Sequence, residues 1–552
     1  MLTAGLLSSS PPRRAIGGGR RIPEFKLSED YPYVPRASFF EPRGESYLHL
    51  LKRLRECASD ASVRGVLIRL DGMPFSLAQV EEIRRVIKTI RASGRPVVVY
   101  LDEDVGNAGY YLATAADRVL AHPAMTLDLI GLSAEMLYYR GILDTLGVGM
   151  QYAARSEYKS AIEPLTRNGP SPASIEQLNA LLDDLHGGLV DAIAEGRGRT
   201  REEAQALLDE GPWTAREALE KGLIEGVAYP DEFDELLAGT FPKHFTLDDR
   251  YRVRDGTTGW ANPRRIAVVT VAGAIVSGPS EGPGLFGGEE TAGSETVVKA
   301  LEQAARDDTV KAVVLRVDSP GGSAFASDQI WRGVEMVQRA QKPVVVSMGG
   351  YAASGGYYVS AGADAILALP STVTGSIGVF GGKVNFEGLF DKAGIESWEI
   401  LRGRKAGMWS MARPMDPTEM DALDHLIGET YSQFKGKVAE GRGLDADRVE
   451  GLARGRVWSG RRAIENGLVD QEGGFFEAVD LAREKAGLSA RTRYDLITYA
   501  AVPNAMDELP SEFLRAALRI DKAPASLGVL SRLRRLEEER LWMMLPYEME
   551  IR

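Results

Sequence analysis

The chain has 552 residues, 44% of them hydrophobic and 26% charged, with a formal net charge of −12. This is ordinary globular usage and excludes a disordered tail, a collagen and a coiled coil, while the acidic balance argues against nucleic acid as a partner. At roughly 150 residues per domain, the length suggests three or four domains.

Residues 1–40 open with MLTAGLLSSSPPRRAIGGGRR. They lack the apolar core of about seven residues that a secretory signal needs, and read as a flexible leader. Cys57 is the single cysteine. It rules out an internal disulfide and a cysteine-based zinc site, and reads as a small buried residue. VLIRL, from Val66, and PVVVY, from Pro96, are short continuous apolar runs of the kind found in strands buried on both faces. The stretch SLAQVEEIRRVIKTIRAS between them has helical periodicity. The longest apolar run, Ile266 to Val276, is interrupted by Thr270. It falls short of the roughly 18 residues of a membrane span and reads as another buried strand. Then come VVLRV, the helical SDQIWRGVEMVQRAQ, the strand PVVVS and a long helix near Thr418 to Gly441. The last stretch, VLSRLRRLEEERLWMML, is amphipathic and reads as a docking helix in a helical tail. The five histidines, His49, His122, His186, His244 and His425, form no ligand pair, so no metal and no cofactor is expected.

The chain repeats itself. RPVVVYLDEDVGNAGYYLATAADRVLA, from Arg95, aligns without gaps on KPVVVSMGGYAASGGYYVSAGADAILA, from Lys342, with eleven of 27 positions identical. The same offset of 247 pairs Val66–Asp71 with Val313–Asp318, Gly131 with Gly378 and Gly147 with Gly394. One register held this long makes the two halves copies of one domain. Strand–helix–strand alternation within each copy gives an α/β class with mainly parallel sheets. The boundaries expected are a leader at 1–40, a first copy at 41–250, a second at 260–490 and a helical tail at 491–552.

Two glycine-rich turns follow strands in the second copy: Asp318-Ser319-Pro320-Gly321-Gly322-Ser323 and Gly349 to Gly356 around Ser354. Ligands of parallel α/β sheets gather at the carboxyl ends of strands, and Gly-Gly pairs let backbone N–H groups approach them closely. Ser354 stands at the start of a helix, where a hydroxyl among free N–H groups suits oxyanion chemistry. The plain alternative is a helix N-cap. A serine nucleophile needs a base, and no histidine lies between His244 and His425. A buried, neutral lysine serves instead. Lys159, in ARSEYKSAIEPL of the first copy, aligns with Ala406, whereas Ser354 aligns with Asn107 and Gly321-Gly322 with Pro74-Phe75. Ser376 aligns with Leu129. The losses are complementary, as expected if one active site is assembled from both copies. Two other readings stand beside a peptidase: a crotonase-type acyl-CoA enzyme, which needs only the backbone N–H pair, and a non-catalytic ring scaffold.

GYAASGGYYVSAGAD, VDSPGGS, TGSIGVFG and EYKSAIEP together resemble the long form of the signal peptide peptidase A (protease IV) family, over roughly residues 40 to 490. The resemblance implies a ClpP/crotonase-like fold and a serine endopeptidase with a Ser/Lys dyad. It places the nucleophile on Ser354, the general base on Lys159, the lysine-orienting serine on Ser376 and the oxyanion donors on the N–H groups of Gly322 and Gly355. It further implies a homotetramer that cleaves remnant signal peptides. Many members carry an N-terminal membrane anchor; none is visible here, so the expectation is a soluble or peripherally membrane-associated protein.

Overall fold

The computed structural model describes residues 20–27, 31–33, 45–73, 75–252, 264–281, 290–489, 492–499 and 541–544. The first copy is built on an all-parallel sheet in the order Phe245–Asp248, Arg20–Leu27, Val66–Leu70, Val97–Leu101, Arg118–Ala121, Gly226–Val227. The second sheet runs Val457–Ser459, Val373–Gly375, Val344–Ala353, Val310–Ser319, Arg264–Ala272, Tyr494–Thr498, parallel except at its first pair. The run from Ile266 is thus a buried strand, as its length indicated.

Alternation along the second sheet divides its side chains between two cores. Ala267, Val269, Val313, Leu315, Val344 and Val346 join the core of the second copy. Their neighbours Ile266, Val268, Ala312, Val314 and Val345 join a core that also holds Val80, Ile83 and Ile87 of the first copy. Those three lie on the helix Leu77–Ala92, started by a capping box between Ser76 and Gln79. The helix Phe475–Lys485 adds Phe475, Ala478, Val479 and Ala482 to the same core. The copies therefore stack, with the helices of one on the sheet of the other. A buried ion pair pins the stack: Arg316 donates to both carboxylate oxygens of Glu82 at 2.8 and 2.9 Å. Tyr47 Oη and the Phe475 N–H also donate to that carboxylate.

A third, smaller sheet joins both copies. Its order is Thr291–Gly293, Ala274–Val276, Gly321–Ser323, Leu541–Met544, Val379–Asn385, Gly149–Arg155. The last pair is antiparallel, from Val379↔Arg155 to Asn385↔Gly149, so a first-copy strand extends a second-copy sheet.

Two expectations are corrected. Residues 20–27 are not leader but the second strand of the first sheet, because RRIPEFKL places Ile22, Phe25 and Leu27 in buried positions. In the tail, the described residues are strands and not helix: Tyr494–Thr498 and Leu541–Met544. Residues 500–540, most of the stretch read as a docking helix, lie outside the described residues. Cys57 is buried, and burial pushes its thiol up to about 12, so it is a packing residue.

Candidate active site

The strand Val344–Ala353 delivers Ser354 into a sharp turn before the short helix Gly355–Ser360. Its backbone stands at φ 56°, ψ −111°, a left-handed conformation that a residue with a side chain adopts only when its surroundings enforce it. The Ser354 N–H donates to the Gly375 carbonyl at 2.8 Å, which fixes the turn. The hydroxyl makes no capping bond to the helix. The N-cap alternative therefore does not describe what the Ser354 side chain does.

That hydroxyl meets Lys159. The antiparallel pairing of Gly149–Arg155 with Val379–Asn385 carries the first-copy chain across, and four residues past Arg155 the lysine enters the second copy. Its Nζ lies 2.7 Å from Ser354 Oγ, 3.0 Å from Ser376 Oγ and 3.0 Å from the Ser376 carbonyl oxygen. Lys159 is 3% exposed, and burial pushes its amine well below the ordinary lysine range. Among the described residues no carboxylate forms an ion pair with it to offset that burial. Its loop is clamped from both copies. Gln177 donates to Ser160 Oγ at 3.0 Å and accepts from the Val457 N–H at 3.1 Å. Gly455 packs so closely that a Cβ there would lie 2.5 Å from the Lys159 backbone nitrogen.

The glycine turns converge on the same point. A Cβ on Gly355 would lie 3.1 Å from the Gly322 nitrogen, and one on Gly322 would meet the Ile275 carbonyl oxygen at 2.0 Å. Glycine at both positions lets the turn of Gly322 pack directly against Gly355, the residue that follows Ser354. All five residues singled out from the sequence, Ser354, Lys159, Ser376, Gly322 and Gly355, thus meet within one chain. Among the described residues, no group of three or more His, Cys, Asp or Glu side chains could hold a metal ion.

The equivalent place in the first copy is furnished differently. Asn107, the counterpart of Ser354, accepts from the N–H groups of Ile130 and Gly131 and donates to the Gly131 carbonyl. Phe75, the counterpart of Gly322, stacks on Tyr31 and tilts against Tyr47. Ala406, the counterpart of Lys159, lies in an exposed turn. The sequence did not reveal the Ser376 carbonyl as a second lysine partner, since any residue supplies a carbonyl. It also hid the strand Leu541–Met544 beside Gly321–Ser323, whose only signal is the apolar LWMM after a charged stretch.

A family model described as Peptidase family S49 matches residues 89–238 and 336–489, one match per copy, and a Clp protease model matches 286–374. The chain is 30% identical over 492 residues to a protein named Serine protease SPPA, chloroplastic, of Arabidopsis thaliana, covering 87% of this chain and 71% of that one. It is 34% identical over 461 residues to Protease 4 of Haemophilus influenzae, covering 80% and 73%. Among solved structures, ClpP1 of Listeria monocytogenes matches 38% of this chain and 94% of its own, at 16% identity and a TM-score of 0.24.

Proposed function

Because the chain belongs to peptidase family S49 and is a serine endopeptidase, we propose that its dyad is Ser354 and Lys159, one residue from each copy. The observation that carries this is the 2.7 Å contact between Lys159 Nζ and Ser354 Oγ, both side chains being buried. A neutral amine has two N–H bonds and one lone pair. The Ser376 carbonyl and hydroxyl oxygens accept the two N–H bonds, which leaves the lone pair for the Ser354 O–H. Ser376 is thus the positioning residue.

In the reaction Lys159 takes the hydroxyl proton while Ser354 Oγ bonds to the scissile carbonyl carbon. The N–H groups of Gly322 and Gly355 hold the oxyanion, each donor contributing about 3 kcal/mol. The new ammonium gives its proton to the departing amine, and the peptide C–N bond breaks. Lys159, neutral again, takes a proton from a water whose oxygen bonds to the acyl carbon; the bond to Ser354 Oγ breaks, and the ammonium returns the proton to that oxygen.

The substrates of this reading are short hydrophobic peptides, remnant signal peptides among them. The two peptidase units span 41–250 and 260–490, with the strand Arg20–Leu27 joined to the first. Self-association, a homotetramer in this reading, is supported only as far as an interaction surface goes, by the apolar side chains Trp398, Ile400 and Phe325, 90%, 76% and 65% exposed. Among the described residues no helix is long and apolar enough to cross a membrane, and attachment in this reading is peripheral.

A fluorophosphonate probe followed by peptide mapping tests the dyad. The expected result is one label, on Ser354, acquired far more slowly in Lys159→Ala. An unlabelled, folded protein would support the acyl-CoA enzyme or the scaffold instead.

A further inference from the structure

The strand Leu541–Met544 lies between two strands that, among the described residues, have no other partner on these edges. On one side it pairs antiparallel with the oxyanion turn, Gly321↔Met544, Gly322↔Met543 and Ser323↔Trp542. On the other it pairs antiparallel with Val379–Asn385, Phe380↔Trp542 and Gly381↔Leu541. An extended peptide inserted between two sheet edges is held by main-chain hydrogen bonds, and pockets for alternate side chains supply selectivity. The position is that of a peptide presented to the site. A Cβ on Gly321 would lie 2.0 Å from the Met543 carbonyl oxygen and 2.8 Å from the Gly355 nitrogen. The tail backbone therefore runs along the oxyanion turn.

Its side chains alternate as a bound strand requires. Trp542, 2% exposed, packs with Ile162 of the first copy and Phe380 of the second, ringed by Met150 and Leu165. Met543, 1% exposed, joins the second-copy core. The indole Nε1 of Trp542 is buried with no hydrogen-bond partner among the described residues. A pocket shaped for this tryptophan would offer an acceptor there. This one offers only apolar walls, which suit any large apolar side chain.

We propose that Leu541–Met544 is an internal occupant of the substrate groove, which competes with incoming peptide, and that the pocket of Ile162, Phe380, Met150 and Leu165 selects a large apolar substrate residue. This rests on the reading of Ser354 as nucleophile, because the groove is defined by its position along the oxyanion turn.

The test is a fluorescein-labelled peptide of residues 538–548, EERLWMMLPYE, followed by anisotropy in a Ser354→Ala background, where no chemistry interferes. The hosts are the full chain, a chain ending at Arg540, and the full-length Trp542→Glu variant, which keeps the tail but expels its anchor. The expected result is saturable binding to the last two hosts and binding at least tenfold weaker to the full chain. A peptide carrying Trp542→Ala should bind at least tenfold more weakly. Equal binding to all three hosts, or indifference to that peptide substitution, overturns the proposal. With Ser354 restored, fluorophosphonate labelling should be at least tenfold faster without the tail. Absence of labelling in every host would strike the dyad reading alone, since the anisotropy result does not depend on it.

Discussion

The two copies share a sequence register and almost nothing of its use at three positions. Where the second copy has Ser354, its hydroxyl unspent on the backbone and facing Lys159, the first has Asn107, whose amide is consumed by the backbone of Ile130 and Gly131. Where the second has Gly322, with no room for a side chain and packed against Gly355, the first has Phe75, packed among Tyr31 and Tyr47. Arg69 and Arg316 occupy the same strand position. Arg69 pairs with Asp102 and Glu24 with 23% of its side chain exposed, whereas Arg316 is fully buried on Glu82 of the other copy. The difference teaches that duplication freed each copy to lose what the other retained. The matching place in the first copy is filled by packing, and a loop of that copy supplies the lysine that meets Ser354.

The largest effect expected from this comparison is catalytic. Ser354→Ala and Lys159→Ala should each lower kcat/KM for peptide hydrolysis at least a thousandfold while the thermal transition stays cooperative. Asn107→Ala, at the matching position, should cost about 1 kcal/mol of stability, because it removes the amide that bonds the partly exposed backbone of Ile130 and Gly131, and should leave kcat nearly unchanged. A large kcat loss in Asn107→Ala without unfolding would break the division.

The next effect is on stability alone. Arg316→Met strands the Glu82 carboxylate in the core and should cost about 3–5 kcal/mol in denaturant unfolding. Arg69→Met removes a partly solvated pair and should cost about 1 kcal/mol or less. Equal costs would mean that the stack of the two copies is not pinned by the buried pair.

Much of this was legible in the sequence because strands and glycine turns are local. VLIRL and VVLRV announce strands, and the offset of 247 exposes which residues each copy has changed. Arg20–Leu27 escaped because its Gly, Pro and Arg neighbours mask a short alternating pattern. The third sheet escaped for a different reason. Its pairs, Gly149–Arg155 with Val379–Asn385 and Leu541–Met544 with Gly321–Ser323, join segments more than 200 residues apart. No periodicity within either segment encodes its partner. The Arg316–Glu82 pair is equally invisible, since the matching Arg69 finds its carboxylates nearer by.

Burial of Lys159 also sets a pH dependence. Below the ordinary lysine pKa of 10.5 the unfolded chain protonates this amine, whereas the folded chain keeps it neutral until its depressed pKa is reached. The unfolded state thus binds more protons across that interval, so stability gained from this group rises with pH through it and is smallest on the acid side. In the proposed dyad catalysis should follow the same titration, because only a neutral amine can accept the Ser354 proton.

The most direct measurement is therefore the rate of fluorophosphonate labelling of Ser354 as a function of pH, in the unaltered protein and in Lys159→Ala. The division of one site between two copies predicts a rate that rises with pH and levels off well below the ordinary lysine range, and a far slower rate without that limb in the variant. The same rising limb in both proteins would contradict it, because the base would then lie somewhere other than on the lysine supplied by the first copy.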